Sequence, residues 1–394
     1  MWHTERLITK HISVLISDQV ADIQLETQTA GVRISDEDII LAFKRANNYF
    51  GSNYKMPTTE RMSDLLVFNG VFEYPKVSDF AGWFEPMRPY GIESPWFFNT
   101  TANELVHTYD GRQTAFRFNR ENQFLLVSDQ SGEKQMVNSC DSLTENGTFA
   151  ISGDGSNLLL NEQIYVEGSG SLQFTITVSG GTTTITATGM NAFDLTNYVN
   201  VGYGFLSLQC PTTNTTTISN AQIRLGNDAS NYYQMSATTN YRGDSILSGW
   251  CQVGFNFLGA TETGSVTDTE CDYMQIVFTN PAGTSGTYRL DNIFVALPTY
   301  YQLPYYSKFN VKDTSGTYIQ NPLALSDTVL CPEDTNEALV FKALEHLAVY
   351  NLRDAGRAAY FGELLKPFED TLRRKYPSQE RRVKTLWYDS PRSF

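Results

Sequence analysis

The sequence predicts an α+β protein of more than one domain, in which an antiparallel β-sandwich is inserted into a partly helical domain formed by both chain ends. Charge falls abruptly near residue 140: residues 141–300 hold 13 acidic and 3 basic residues, while Thr, Ser, Gly and Asn become frequent. Short alternating apolar runs fill that segment, and apolar residues recur at helical spacing on both sides of it.

The composition restricts the kind of molecule. The chain has 394 residues and a net charge of −14, so we expect it to repel nucleic acid and to bind no specific nucleotide sequence. No apolar run reaches the ~18–20 residues of a membrane span, and the first residues do not have the pattern of a secretory signal. Five widely spaced cysteines without a CxxC pair predict free thiols in a reducing cytoplasm.

The N-terminal segment is predicted to begin with helices. A short helix is expected over residues 17–29. A second is expected to start at Ser35, because Asp36, Glu37 and Asp38 place negative charge in a first turn, and to end at Gly51. Its inward stripe has apolar residues at helical spacing, namely Ile39, Phe43, Ala46 and Phe50.

A β-hairpin is predicted over Leu65–Tyr74, because Asn69-Gly70 between two apolar runs is the strongest short hairpin signal. Ser78 is expected to cap a short helix that runs through Trp83. Three further strands are expected before the sandwich: Glu104–Thr108, Thr114–Phe118 and Gln123–Val127.

Nine strands are predicted in the sandwich, each an alternating run bounded by turn residues. They are Leu158–Val166, Ser171–Val178, Thr182–Thr188, Gly204–Leu208, Ala221–Leu225, Tyr232–Ala237, Trp250–Phe257, Tyr273–Thr279 and Thr287–Leu297. The absence of a helical stretch among them indicates an independent antiparallel domain.

The C-terminal segment is predicted to form a helical hairpin. The first helix is expected to start at Pro332, and Pro367 is expected to kink the second before Pro377 ends it. The apolar stripes of the two helices are Leu344, Ala348 and Leu352, then Phe361, Leu365, Phe368 and Leu372. Neither chain end can bury its stripes alone. We therefore predict one discontinuous domain, 1–140 plus 300–394, around a sandwich at 141–299.

No catalytic residue, cofactor motif or metal site is predicted, so an enzyme is not expected. None of the four histidines has a second ligand at metal spacing, and the Gly-rich turns match no phosphate-binding loop. Asp291 is expected to be a surface residue or to make a turn-side hydrogen bond, with a calcium ligand as the alternative. Asp268, Glu270 and Asp272 are expected to be solvated charges of a polar loop.

Exposed aromatic residues would form a platform for sugar rings, and Tyr232, Tyr233 and Trp250 are the candidates. Because Trp250 alternates with Gln252 in a strand, we expect it in the core instead. The basic C-terminal tail has two interpretations that the sequence leaves open, a solvated helix end or a surface for DNA or an acidic protein.

The middle segment resembles the jelly-roll domains of carbohydrate-binding modules and of related virion proteins. The matching pieces are Glu167–Phe174, Asp194–Thr196, Leu225–Asp228, Gly249–Trp250 and Tyr288–Ile293. This resemblance implies the fold and no particular ligand.

The flanks resemble the head–tail connector (neck or adaptor) proteins of tailed bacteriophages. The similar pieces are Ile34–Ile40, Ala42–Ala46, Val71–Pro75, Ser78–Phe80, Tyr360–Leu364 and the tail after Tyr376–Ser378. The resemblance implies a structural virion protein, made in the host bacterial cytoplasm, that forms a twelvefold homo-oligomeric ring joining the portal protein to the tail. The sandwich would project outward towards tail or fibre proteins.

In that ring, the tail would contact the portal or a neighbouring copy. The candidate residues are Arg373, Arg374, Lys375, Arg381, Arg382, Lys384, Trp387 and Tyr388. The leading hypothesis is therefore a connector with no membrane partner. The alternative is a glycan-binding appendage protein that uses the sandwich, and a polysaccharide-degrading enzyme comes third.

Overall fold

The computed structural model describes residues 13–17, 23, 34–54, 57–75, 77, 79–83, 88–89, 97–99, 104–109, 112–119, 124–128, 132–177, 180–332 and 336–376. The chain divides into two compact units. The first comprises residues 1–63, 77–85 and 304–394, and the second comprises residues 64–76 and 86–303.

Strands and helices follow one another along the described residues. The strands are β1 (Ser13–Leu15), β2 (Glu60–Val67), β3 (Glu73–Tyr74), β4 (Phe80–Trp83), β5 (Arg88–Pro89), β6 (Phe97–Asn99), β7 (Glu104–Tyr109), β8 (Arg112–Asn119), β9 (Phe124–Ser128), β10 (Lys134–Asn138), β11 (Thr148–Gly153), β12 (Gly155–Asn161), β13 (Ser171–Ile176), β14 (Gly181–Thr188), β15 (Tyr203–Cys210), β16 (Asn220–Asp228), β17 (Asn231–Ala237), β18 (Gly249–Asn256), β19 (Thr261–Thr263), β20 (Tyr273–Asn280), β21 (Gly286–Ala296), β22 (Thr299–Ser307), β23 (Val311–Lys312), β24 (Tyr318–Ile319) and β25 (Thr328–Leu330). The α-helices are α1 (Asp36–Asn53), α2 (Asn336–Leu347) and α3 (Ala355–Lys375).

Helix α1 begins as predicted. The backbone N–H of Asp38 donates to Ser35 Oγ at 3.2 Å, and the Asp38 carboxylate accepts from the Ser35 backbone, so the two residues form a capping box. The helix passes Gly51 and ends at Asn53, two residues beyond the predicted end. Gly51 does not stop it because the Tyr54 N–H still donates to the Phe50 carbonyl.

Helices α2 and α3 follow each other as a hairpin through a π-helical turn at Ala348–Leu352. The predicted start at Pro332 is wrong, since that residue is non-helical and α2 begins at Asn336. Asp354 caps α3 by accepting from the Arg357 N–H at 3.0 Å. Pro367 lies inside α3, which continues to Lys375, while Pro377 is outside the described residues.

The core of the first unit contains residues from both chain ends. Buried side chains of α1, such as Phe43 and Phe50, belong to the same apolar cluster as Leu344 of α2 and Phe361 and Leu365 of α3. Antiparallel strands β1, β25, β23 and β24 form a sheet in this unit. Of the predicted helix at 17–29, only Ser17 and Ile23 are described. No described helix is long and apolar enough to cross a bilayer.

The second unit is a sandwich of two antiparallel sheets. One has the order β12-β13-β21-β15-β18 with β10 also paired to β21, and the other has the order β11-β14-β20-β16-β17-β19. Each of the nine predicted strands has a counterpart, but the one predicted over Leu158–Val166 ends at Asn161, so residues 162–166 were wrongly predicted as strand. Inward residues such as Phe174, Leu208, Ile223 and Phe278 form one core. A smaller sheet, β3-β9-β8-β7-β6, includes the three strands predicted before the sandwich.

Two local predictions fail. Residues 65–74 do not form a hairpin, because β3 pairs with β9, and β2 is not its neighbour in any sheet of the described residues. Gly70 has the positive φ of +87° that the turn signal requires, but Asn69 does not. The predicted helix ending at Trp83 is wrong as well: β4 is a strand paired with β22, and Ser78 is outside the described residues.

The division into domains at 1–140 plus 300–394 and 141–299 stays a prediction. The compact units differ from it in extent, partly because β10 pairs with β21 and so extends a sandwich sheet with residues from before position 141.

Candidate functional site

The outer face of the β12–β18 sheet is polar at one end. Leu208 and Leu290 point into the core, so the two-residue period turns Gln209 and Arg289 outward. Strand register places Gln209 directly opposite both Trp250 and Arg289. An outward row of side chains therefore crosses neighbouring strands, with Trp250 at the sheet edge.

The loop between β2 and β3, residues 68–72, covers the other end of this face. Phe68, fully buried, lies with its ring centroid 4.8 Å from that of Tyr203 and 5.0 Å from that of Phe205. The loop is held in shape by Tyr74, whose hydroxyl accepts from the Phe68 N–H at 2.8 Å and donates to the Val71 carbonyl at 3.1 Å. The covered and open halves of the sheet therefore meet along the edge of this loop.

A groove of about 480 Å³ lies along that edge. Gln252 fixes the loop to the sheet because its Nε2 donates to the Gly70 carbonyl at 3.0 Å. Two aromatic side chains line the groove, the half-buried Trp250 and the exposed Phe72. The other lining residues are mostly polar, namely Asn69, Gly70, Glu73, Lys134, Val166, Glu167, Ser207, Cys251, Gln252 and Asn292.

Asn292 is the most unusual residue of the groove. It lies at a β-bulge, since Ser207 pairs with Asp291 and Phe205 with Phe294, and its φ is +49°. Its side chain is 4% exposed, and its Oδ1 has no hydrogen-bond partner. A buried amide oxygen without a partner costs free energy, and the side chain that carries it belongs to the groove lining.

Asp291 fixes the backbone of Val166 and Glu167, two residues that line the groove. Its carboxylate is fully buried, and Oδ2 accepts from the backbone N–H groups of Val166 at 2.6 Å and Glu167 at 3.2 Å. Burial raises the pKa of Asp291 to about 6, although these hydrogen bonds act in the opposite direction. The turn-side hydrogen bond expected for Asp291 is thus present, while its expected surface position is wrong.

No family model and no curated protein sequence matches this chain. Among solved structures, it is similar to the family 30 carbohydrate-binding module of the Clostridium thermocellum cellulase Cel9D-Cel44B at 13% identity and a TM-score of 0.31, over 41% of this chain and 96% of that one. It is also similar to a family 11 module from Clostridium thermocellum, solved with a β-1,3-1,4-mixed-linked tetrasaccharide, at 9% identity and a TM-score of 0.29, over 42% and 95%. The likeness is one of fold.

The three residues named as candidates for a sugar platform lie on different sheets of the sandwich. Trp250 lines the groove and does not belong to the core cluster, so its predicted core position is wrong. Tyr233 is 8% exposed and donates to Asp268 Oδ1 at 3.0 Å. Tyr232 lies on the other sheet, with the Arg224 guanidinium 4.9 Å from its ring centroid.

The predicted tail contacts are only partly within the described residues. Arg373, Arg374 and Lys375 form the last turn of α3, and Arg373 pairs with Glu369 at 3.6 Å. The remaining candidates lie outside the described residues, namely Arg381, Arg382, Lys384, Trp387 and Tyr388. Their role in portal or subunit contact stays a prediction.

His346, Asp268 and Glu270 are not among the residues that line the groove. His346 is half-buried, stacks on Tyr350, and has its pKa lowered by burial. Asp268 and Glu270 lie in a 3₁₀ turn, where Glu270 is exposed but Asp268 is half-buried and accepts from the Tyr233 hydroxyl. Within the described part of the chain, no three His, Cys, Asp or Glu side chains are grouped so that they would hold a metal ion.

Sequence reasoning missed Asn292 as a site residue and missed the groove altogether. The only signal was Asn292 within the Arg289–Ile293 piece that resembles carbohydrate-binding modules. Its left-handed backbone and its unpaired oxygen depend on a register shift between two strands, which no local pattern reports.

Proposed function

We propose that this protein binds a glycan, without transforming it, in the groove beside Trp250. The observation that carries this proposal is the groove lining, in which the neutral amide of Asn292 lies with the indole of Trp250. Sugars present hydroxyl groups and an apolar ring face, so an amide and an indole in one groove match both of their surfaces.

The rest of the groove supports the same ligand class. Phe72 provides a second ring, and Asn69, Ser207 and Gln252 provide neutral groups that donate and accept hydrogen bonds. The NH2 groups of Asn69 and Gln252 already donate within the protein, and a purely apolar ligand would not pair with their amide oxygens, which costs affinity. A hydroxyl-rich ligand satisfies them.

A glycan array probed with the full chain tests this proposal, followed by titration of the strongest ligand. Asn292→Gly removes the amide and keeps a residue that tolerates positive φ. We expect at least a tenfold loss of affinity, with an unchanged melting temperature. An array without signal, or a variant that binds as well as the wild type, would contradict the proposal.

A second candidate function is the head–tail connector of a tailed-phage virion, bound to the portal and to tail or fibre proteins. It is supported by the first unit, whose core joins both chain ends and whose helical hairpin exposes aromatic side chains. Tyr350 is 58% exposed and Tyr360 is 59% exposed, close in sequence to the basic end of α3. Exposed aromatics and arginines are enriched in protein interfaces.

Removal of residues 373–394 tests this candidate. We expect the full chain to form closed rings by negative-stain microscopy and to attach to a portal, and the truncated chain to do neither while its sandwich stays folded. Tyr350→Ser, which removes an exposed aromatic side chain of the hairpin, should also impair assembly. Its matched control is Tyr318→Ser, in the same unit but outside the hairpin, which should assemble normally. Normal assembly of the truncated chain would exclude the assigned role of the tail.

A further inference from the structure

The loop that follows β12 displays an apolar tip next to the groove. Ile164, Tyr165 and Val166 are consecutive and exposed, and Tyr165 is 44% exposed. Val166 and Glu167 already line the groove, so Tyr165 lies one residue, about 3.8 Å along the chain, from its wall. Three adjacent apolar side chains in water are unusual for a loop that only connects strands.

This loop is held in place along its length. Asn161 Oδ1 accepts from the N–H groups of Gln163 at 3.0 Å and Ile164 at 2.9 Å. Ser171 Oγ donates to the Ile164 carbonyl at 2.6 Å, and Asp291 accepts from Val166. The exposed tip is therefore fixed in position by side chains anchored in the sheet, and Tyr165 is presented as a fixed surface.

The charged side chains at the rim of the groove are held in ion pairs. Lys134 Nζ lies 3.4 Å from Glu167 Oε2, and Arg242 NH1 lies 3.0 Å from Glu73 Oε2. Lys134 Nζ also lies 4.4 Å from the centre of the Phe294 ring. A charged ligand would have to break these pairs, whereas an uncharged ligand leaves them intact.

From these contacts we infer that the ligand is an uncharged oligosaccharide longer than one sugar residue, which stacks on Trp250 in the groove and on Tyr165 at its end. The inference rests on the proposed glycan binding and adds to it the class and the minimum length of the ligand. Tyr165 is a binding residue that distinguishes long chains from short ones.

Calorimetric titration of the full chain with defined sugars tests this inference. The probes are the β-1,4-linked hexasaccharides and disaccharides of glucose, xylose and mannose, with hexagalacturonate as the charged probe. We expect at least one neutral hexasaccharide to bind about tenfold more tightly than its disaccharide, and hexagalacturonate to bind more weakly than that hexasaccharide. Tyr165→Ala should remove the length preference and leave disaccharide affinity unchanged.

The matched control is Tyr300→Ala, which removes a tyrosine that is 57% exposed and is not among the groove residues. It should preserve the preference for the hexasaccharide. If Tyr165→Ala also preserves it, or if hexagalacturonate binds as well as the neutral chain, this inference is wrong while glycan binding stands. If no sugar binds the wild-type chain, both proposals are wrong.

Discussion

Each outer face of the sandwich has an outward arginine that donates to glutamine side chains on neighbouring strands. The two faces differ in how many N–H groups of that arginine have a partner. On the β11–β19 sheet, Arg224 donates through Nε to Gln234 at 2.8 Å and through NH1 to Gln275 at 2.5 Å. On the β12–β18 sheet, Arg289 donates through NH1 to Gln209 at 2.5 Å, but its buried Nε has no partner.

This difference distinguishes the face proposed to bind a ligand from the other face. Gln275 also donates to Thr186 at 3.1 Å, so Arg224 belongs to a ladder of hydrogen-bonded side chains that crosses the strands of the first of these faces. On the other face, Arg289 and Asn292 keep unpaired atoms, and Trp250 opens onto a groove. Unpaired polar atoms cost stability and are retained where a ligand completes them.

Replacing the outward-facing aromatic side chain on each face should give the largest difference in glycan affinity between two variants. Trp250→Ala should weaken glycan binding by about 2–4 kcal/mol, thirtyfold to nearly a thousandfold, because aromatic anchors dominate binding energy. Tyr232→Ala, on the outer face of the β11–β19 sheet, should leave the glycan affinity unchanged. Titration calorimetry measures both values, and circular dichroism confirms that each variant is folded.

Equal losses in the two variants would remove the functional distinction between the faces. A loss of affinity in Tyr232→Ala alone would show that the binding site lies on the other sheet.

Asp291 predicts an unusual pH dependence for the groove side of the sandwich. Burial raises its folded-state pKa from 3.8 to about 6, so the folded protein binds this proton more tightly than the unfolded chain does. Its contribution to stability is complete below pH 4 and is lost as the pH rises through 6. Asp291→Asn should therefore gain up to about 3 kcal/mol relative to the wild type between pH 4 and pH 7.

Urea unfolding at several pH values measures this difference. Asp141 is the control of opposite sign: burial opposes its ionisation, but hydrogen bonds from Ser169, Gly170 and Ser139 lower its pKa below 3.8. Asp141→Asn should therefore lose stability relative to the wild type as the pH rises from 3 to 5. A wild type and an Asp291→Asn variant with parallel pH profiles would show that Asp291 is ionised without penalty.

The two arginines provide the smallest and most direct comparison. Arg224→Met leaves the oxygens of Gln234 and Gln275 without their donor, and should destabilise the fold by about 1–2 kcal/mol. Arg289→Met also removes an unsatisfied Nε, so the two effects partly cancel and the change should be within about 0.5 kcal/mol. Chemical denaturation resolves this difference, and the reverse order would show that Arg289 is the more fully engaged side chain.

The sandwich strands were predictable because their signal is local. A strand such as β14 alternates Thr with inward Thr183, Ile185 and Ala187, and the turns on either side mark its ends. The failures are non-local. The Asn69-Gly70 turn does not close a hairpin because Tyr74 pairs with Leu125, far along the chain.

The candidate site was less predictable for the same reason. The two-residue period of a strand indicates that Trp250 and Gln252 share a face. It does not indicate that the loop ending at Tyr74 covers only half of that face. Likewise, nothing local indicates that Asn292 lies at a bulge, because the bulge exists only relative to β15. The groove results from contacts between segments about 180 residues apart, such as Gln252 with Gly70.

The hydrogen bonds that fix both groove walls affect how tightly a flexible ligand would be held. The Gly70 carbonyl is secured by Gln252, and the Val166 N–H by Asp291. The entropy lost in ordering these loops is therefore spent during folding, and association needs no rearrangement of the chain. If the proposed glycan binds here, most of the conformational freedom lost would be its own, and stiffer oligosaccharides of the same composition should remain bound for longer.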